Sequence, residues 1–155
     1  MIRQIEASEA ALLVPLNAVM QRLHAAARPD VFHCDASEAE VAEYFAETLA
    51  RVGWFALVAE VEGRAVGYAL CEVQRVEGNA MNRARVRGFL HHIAVAENAR
   101  RRGVATGLIE AAKARFRAEG ATVWATTYWV WNEASVALMA KAGLTPAITL
   151  SDAAL

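Results

Sequence analysis

Two clusters in this sequence carry side chains suited to chemistry. His91 and His92 stand together in a β-rich run, Val86 to Val95, and Arg100-Arg101-Arg102-Gly103-Val104-Ala105 follows shortly after. Imidazole ordinarily titrates near neutrality, so either histidine suits the acceptance of a proton from a nucleophile. The arginine run suits anion binding. Beyond it Val104, Leu108, Ala112 and Phe116 recur every four residues, a helical period. Three arginines beside a helix N-terminus repel the positive end of its dipole unless an anion sits between them. Gly103 removes a Cβ where such an anion would approach the backbone. Taken alone the run is most cheaply a solvated basic turn, so the surrounding chain has to decide.

Phosphate-loop templates narrow the choice. A P-loop requires Gly-Lys-Ser/Thr, which is missing here, and a Gly-x-Gly-x-x-Gly fingerprint finds only Gly103 and Gly107. Composition narrows it further. The 155 residues suit one domain spanning 1–155, and 16 basic against 17 acidic residues (net charge −1) argue against a dedicated nucleic-acid binder. Cys34 and Cys71 form no spaced pair and no metal pattern with the four histidines, so no metal is expected and a reduced, cytoplasmic protein is. The apolar run Ala10 to Leu16 follows Glu6 and Glu9 and contains Pro15. It reads as neither signal peptide nor membrane span.

The elements that must position these clusters follow in order. Met1 to Ile5 suits an edge strand. Ser8 suits the N-cap of a helix reaching Ala27, with Pro15 kinking it or restarting it, and Leu12, Leu16, Val19 and Leu23 on one face. Ser37 with Glu40 is a capping box opening a second helix that Gly53 closes. Trp54 to Val61, a turn at Glu62-Gly63, and Ala65 to Val73 read as a hairpin. Val86 to Val95 is a third long strand. The helix after the arginines ends at Gly120, Thr122 to Tyr128 is a strand, and Asn132 caps a helix closed by Gly143. Leu144 to Leu150 reads as a last short strand. This order predicts a mixed α/β sandwich rather than a doubly wound sheet.

Within that order Ile93-Ala94-Val95, then Arg100, Gly103 and Ala105, fit the pattern Arg/Gln-x-x-Gly-x-Gly/Ala after a strand ending apolar-x-Val. This resembles the acyl-CoA motif of the GCN5-related N-acetyltransferase family. Asn132 to Leu144 resembles that family's Asn-x-x-Ala/Ser-x-x-Leu-Tyr-x-x-x-Gly-Phe stretch. The resemblance implies an α+β acyl-CoA N-acyltransferase fold, with a mostly antiparallel sheet flanked by helices and a splayed parallel strand pair at the CoA site. It implies acetyl-CoA as co-substrate. Amides of Arg101, Arg102, Gly103, Val104, Ala105 and Thr106 would hold its pyrophosphate, and Arg100 to Arg102 would screen the charge. Ile93, Ala94 and Val95 would pair with the pantetheine arm as an added strand, with Asn132 and Ser135 beside it.

The activity implied is acetyl transfer to a primary amine of a small molecule or peptide, directly in a ternary complex. The alternative is a non-catalytic acyl-CoA-binding or regulatory module of the same fold. A primary amine is protonated at neutral pH, so a base is needed. Strand alternation sends His91 and His92 to opposite faces, with His91 sharing the parity of Phe89, Ile93 and Val95. His91 is the first candidate, with His92 and Glu72 as rivals. Met139 stands where the family commonly places a tyrosine that protonates the departing thiolate, and Tyr128 is a substitute acid. The acceptor side is expected near the turn carrying His24, Arg28, Asp30, Phe32 and His33, with His24 and Phe32 touching substrate. Trp124, Tyr128, Trp129 and Trp131 suit a pocket, core or dimer contact. A sheet edge left open, or completed in a homodimer, is expected after Gly143. No membrane partner is expected.

Overall fold

The computed structural model describes residues 1–153. Five strands form one sheet in the order β1-β2-β3-β4-β5: β1 (Ile2–Ile5), β2 (Trp54–Val61), β3 (Arg64–Val76), β4 (Arg85–Val95) and β5 (Val123–Thr126). The first four are antiparallel neighbours, and β5 runs parallel to β4 at the edge. The four helices are α1 (Val14–Ala27), α2 (Glu38–Leu49), α3 (Val104–Ala118) and α4 (Glu133–Lys141).

Alternation along the strands sends side chains to two cores. On one face Phe55, Leu57, Ala69, Cys71 and Leu90 pack against Leu108, Ile109, Ala112 and Phe116 of α3, and Met139 of α4 joins them. On the other Ile5, Ala56, Val58, Tyr68 and Leu70 meet Leu13, Leu16 and Phe45. The α3 contact is close. A Cβ added at Gly88 of β4 would lie 2.2 Å from Cγ of Phe116, so the ring rests on bare backbone. The β2–β3 turn is the two-residue type expected, with φ of +51° at Glu62 and +74° at Gly63.

Strand pairing changes one expectation about the site. On β3, Leu70 faces His92 and the next residue, Cys71, faces Leu90. His91 is the extra residue of a β-bulge, which resets the alternation of β4. His91 keeps the face of Phe89, Ile93 packs in the α3 core, and His92 and Ala94 fall on the face of Leu70 and Tyr68. The two histidines therefore share one face, and His91 parts from Ile93 and Val95.

Other differences have local causes. The first helical stretch is a 3-10 segment, Ala7–Leu13, capped reciprocally by Glu6 and Glu9 rather than by Ser8, and α1 restarts with Pro15 in its first turn. Pro15 lacks the N–H that an uninterrupted helix would use there. Leu23 is half-exposed while Asn17 is buried, and His24 lies on the partly buried side. The Ser37–Glu40 box forms as expected. Thr122 to Tyr128 contributes only Val123–Thr126 to the sheet. Leu144 to Leu150 is not a strand: Pro146 removes a ladder donor, and Ile148 and Leu150 project into solvent, 90% and 95% exposed.

Candidate functional site

The site begins where β4 and β5 part. They pair from Arg87/Val123 to Leu90/Thr126, and the Thr126 hydroxyl donates to the carbonyl of Leu90 at 2.7 Å. β5 stops there while β4 continues to Val95. The edge of β4 from His91 to Val95 that faces away from β3 therefore has no strand beside it among the described residues, and half-buried Ile93, Ala94 and Val95 lie along it.

The chain then passes through a 3-10 turn, Glu97–Ala99, into the arginine loop. Arg101 (φ +59°) and Gly103 (φ +79°) are both left-handed, and Gly103 is the N-cap of α3 with no side-chain cap. Residues of alternating handedness turn successive N–H groups toward one point, a concavity suited to an anion. The first intrahelical bond runs from Gly107 N–H to Gly103 carbonyl at 2.9 Å. The N–H groups of Val104, Ala105 and Thr106 precede it and have no helical partner. Arg100 donates through Nε to the carbonyl of Val95 at 3.2 Å, tying the loop to the strand end, and Arg100 to Arg102 are exposed. After the loop that follows β5, Asn132 Oδ1 accepts from the Ser135 N–H at 3.2 Å, an N-cap that opens α4.

On the opposite face of the sheet, His91 and Glu72 come together. His91 Nε2 lies 2.9 Å from Glu72 Oε2, with both side chains about three-quarters buried (26% and 22% exposed). The imidazole stacks on Trp54 at 4.1 Å between centroids, and Phe89 lies 4.7 Å away. Register explains the grouping, because Trp54, Glu72 and Phe89 stand opposite one another on β2, β3 and β4. Glu72 and His91, rivals in sequence, form one unit. Trp54 was missed: it opens a strand, and only the three-strand register brings it to His91.

His92 is more enclosed. It meets Phe45 and Tyr68 edge-on, and its Nδ1 lies 3.4 Å from the Tyr68 hydroxyl, which donates to buried Asn17 at 3.0 Å. Burial holds its pKa down at about 4, with His91 and His24 adding smaller effects, so the ring is neutral at pH 7. Burial likewise lowers the pKa of His24.

His24 and Phe32 meet at the end of α1, 5.0 Å between centroids, and the loop after β5 brings Trp129 and Trp131 against them. Arg28 sits over Trp129 at 4.9 Å and binds Asp30 and Asp152. His33 turns away to Asp35. Trp124 and Tyr128 pack instead on the α3 core, where Met139 is 2% exposed.

A model of the acetyltransferase (GNAT) family matches residues 18–144. No curated protein matches the sequence significantly. Solved structures do match in shape. A tetramutant of the BH1408 protein from Bacillus halodurans superposes with a TM-score of 0.89 at 14% identity, covering 100% of this chain and 99% of that one. Aminoglycoside N-acetyltransferase AAC(6')-Iy in complex with CoA gives 0.78 at 19% identity, covering 100% and 93%. An aminoglycoside acetyltransferase from an uncultured soil metagenomic sample gives 0.73 at 25% identity, covering 100% and 97%.

Proposed function

Because the chain belongs to the acetyltransferase (GNAT) family, we propose that it moves the acetyl group of acetyl-CoA to a primary amine of a small molecule or peptide, in the cytoplasm and within a ternary complex. The observation that carries this reading is the His91–Glu72 pair on the β4 bulge, beside the strand segment left free by the splay.

The amides from Arg101 to Thr106 hold the pyrophosphate, assisted by Arg100 to Arg102, and the pantetheine arm lies along Ile93 to Val95 with Asn132 and Ser135 on its far side. The left-handed pair at Arg101 and Gly103 and the uncapped start of α3 support that placement. The amine attacks the thioester carbon. A C–N bond forms, the carbonyl becomes an oxyanion held by a backbone N–H of Ile93 or Ala94, and His91 accepts the nitrogen's proton. Collapse breaks the C–S bond, the amide leaves with the acetyl group, and the CoA thiolate takes a proton from solvent or from Tyr128. A free thiol ordinarily titrates near 8.5, so the thiolate leaves without a dedicated acid in place of Met139. His92 supports His91 from the buried side. His24 and Phe32, with Trp129 and Trp131, line the acceptor's approach.

Burial of Met139 favours a second reading, an acyl-CoA-binding module without turnover, because a thioether in the core offers the thiolate no proton. Thiol release from acetyl-CoA across a panel of amines, amino acids, polyamines and aminoglycosides separates the two. Turnover that drops by roughly 10²–10⁴ in His91→Ala supports the enzyme. No turnover anywhere, with CoA still raising the melting temperature, selects the binding module.

A further inference from the structure

The His91–Glu72 pair is the end of a longer chain of hydrogen bonds. Arg87 on β4 directs both Nε and Nη2 at Gln74 Oε1, at 2.9 and 2.6 Å. Gln74 on β3 places Nε2 2.7 Å from Glu72 Oε2, the same oxygen that meets His91 Nε2 at 2.9 Å.

The donors in this chain can be read in one direction only. A guanidinium has five N–H groups and no acceptor, so the Gln74 atom facing it is the carbonyl oxygen. The amide nitrogen then faces Glu72 and donates to it. A carboxylate accepts only, so the remaining contact requires a proton on His91 Nε2. The lone pair of the neutral ring is then on Nδ1.

We infer that Gln74 and Arg87 are positioning residues that act through Glu72 to fix the His91 tautomer, leaving Nδ1 as the atom that receives the acceptor's proton. The inference rests on the reading of His91 as the base. It adds two residues that never touch substrate, and it names the basic atom. Trp54 completes the arrangement by stacking on the ring, so the imidazole is held in plane by an aromatic face and in rotation by the carboxylate. The charged groups around it are Glu72 and, through Gln74, Arg87; His92 follows it along β4 and is electrostatically coupled to it.

The test uses nitrogen-15 NMR of the histidine rings in the full chain, with His91 assigned by its absence from His91→Ala. The wild-type ring is expected to carry its proton on Nε2. Gln74→Glu keeps the partner of Arg87 but turns a second carboxylate toward Glu72. Repulsion between the two carboxylates should push Glu72 off His91 Nε2 and release the ring into a mixture of tautomers, read in the same spectra. The near-isosteric Gln74→Leu removes the relay without adding charge. With the amine that turns over fastest, it should lower kcat roughly tenfold, short of the 10²–10⁴ expected for loss of the base, and leave the KM for acetyl-CoA unchanged. A proton on Nδ1 in the wild type, or an unchanged tautomer in Gln74→Glu, overturns the inference. His91→Ala turning over at the wild-type rate sinks the base reading instead, and leaves the NMR result standing on its own.

Discussion

Acid should destabilise this fold chiefly through His92. The ring lies against Phe45 and Tyr68, and burial lowers its pKa from 6.5 to about 4. In the unfolded chain it titrates near 6.5. Above that pH both states are neutral and the full stability is present. Between 6.5 and 4 the unfolded chain takes up a proton that the native state refuses, so stability falls with pH until the native ring also protonates. A gap of about 2.5 pH units, at about 1.36 kcal/mol each, amounts to about 3 kcal/mol. For a domain of this length that is a loss of roughly 6–12 °C in melting temperature. The measurement is urea unfolding of the wild type and His92→Gln from neutrality down to about pH 4. Carboxylates titrate in both proteins and cancel in the difference, which leaves the His92 ring together with its smaller coupling to His91 and His24. The wild type should lose about 3 kcal/mol relative to the variant. Parallel curves over the whole range would mean that the ring titrates as in water, and that its enclosure does not govern the proton.

Three further outcomes follow from the packing and the loop. Gly88→Ala places a Cβ 2.2 Å from the Phe116 ring and should cost roughly 1–3 kcal/mol by overpacking; pairing it with Phe116→Leu should recover part of the loss, and an unchanged denaturation midpoint contradicts the contact. Tyr68→Phe removes the hydroxyl that serves buried Asn17 and should cost about 1–3 kcal/mol, read in the same unfolding assay; a neutral result would show that Asn17 finds another partner. At Gly103 an added Cβ meets nothing within 4 Å, so Gly103→Asn should cost the unliganded fold only the roughly 1–2 kcal/mol of left-handed backbone, while its side chain crowds the anion and weakens thermal stabilisation by CoA. Gly103→Glu adds a negative charge at the same point and should abolish that stabilisation; retained stabilisation would remove the pyrophosphate from the loop.

What could be read from the sequence was mostly what local chemistry decides. Ser37 and Glu40 cap one turn of helix between themselves, and Glu62-Gly63 sets a hairpin whatever the rest of the chain does. The strand, Gly103 and the helix after it lie within one short stretch, so the order of the loop was legible too. The bulge was not. It exists because β3 and β4 disagree by one residue between Leu70/His92 and Cys71/Leu90, and neither strand alone records that difference. Trp54, Glu72 and His91 meet through three strands in register, a relation set by long-range pairing. Leu144 to Leu150 failed for the opposite reason: its β-forming residues outweighed Pro146, while the ladder needs the donor that Pro146 lacks.

The bulge at His91 also divides β4 into two segments with separate phase. Upstream, Arg87 and Phe89 stand opposite Gln74 and Glu72, and downstream Ile93 to Val95 run toward the arginine loop. A single unpaired residue between them works as a slip joint. A shift in the segment before it can be absorbed there while Ile93 to Val95 stay in register with β3. The Arg87–Gln74–Glu72–His91 chain on one side and the free edge of Ile93 to Val95 on the other can thereby be adjusted separately along a single strand.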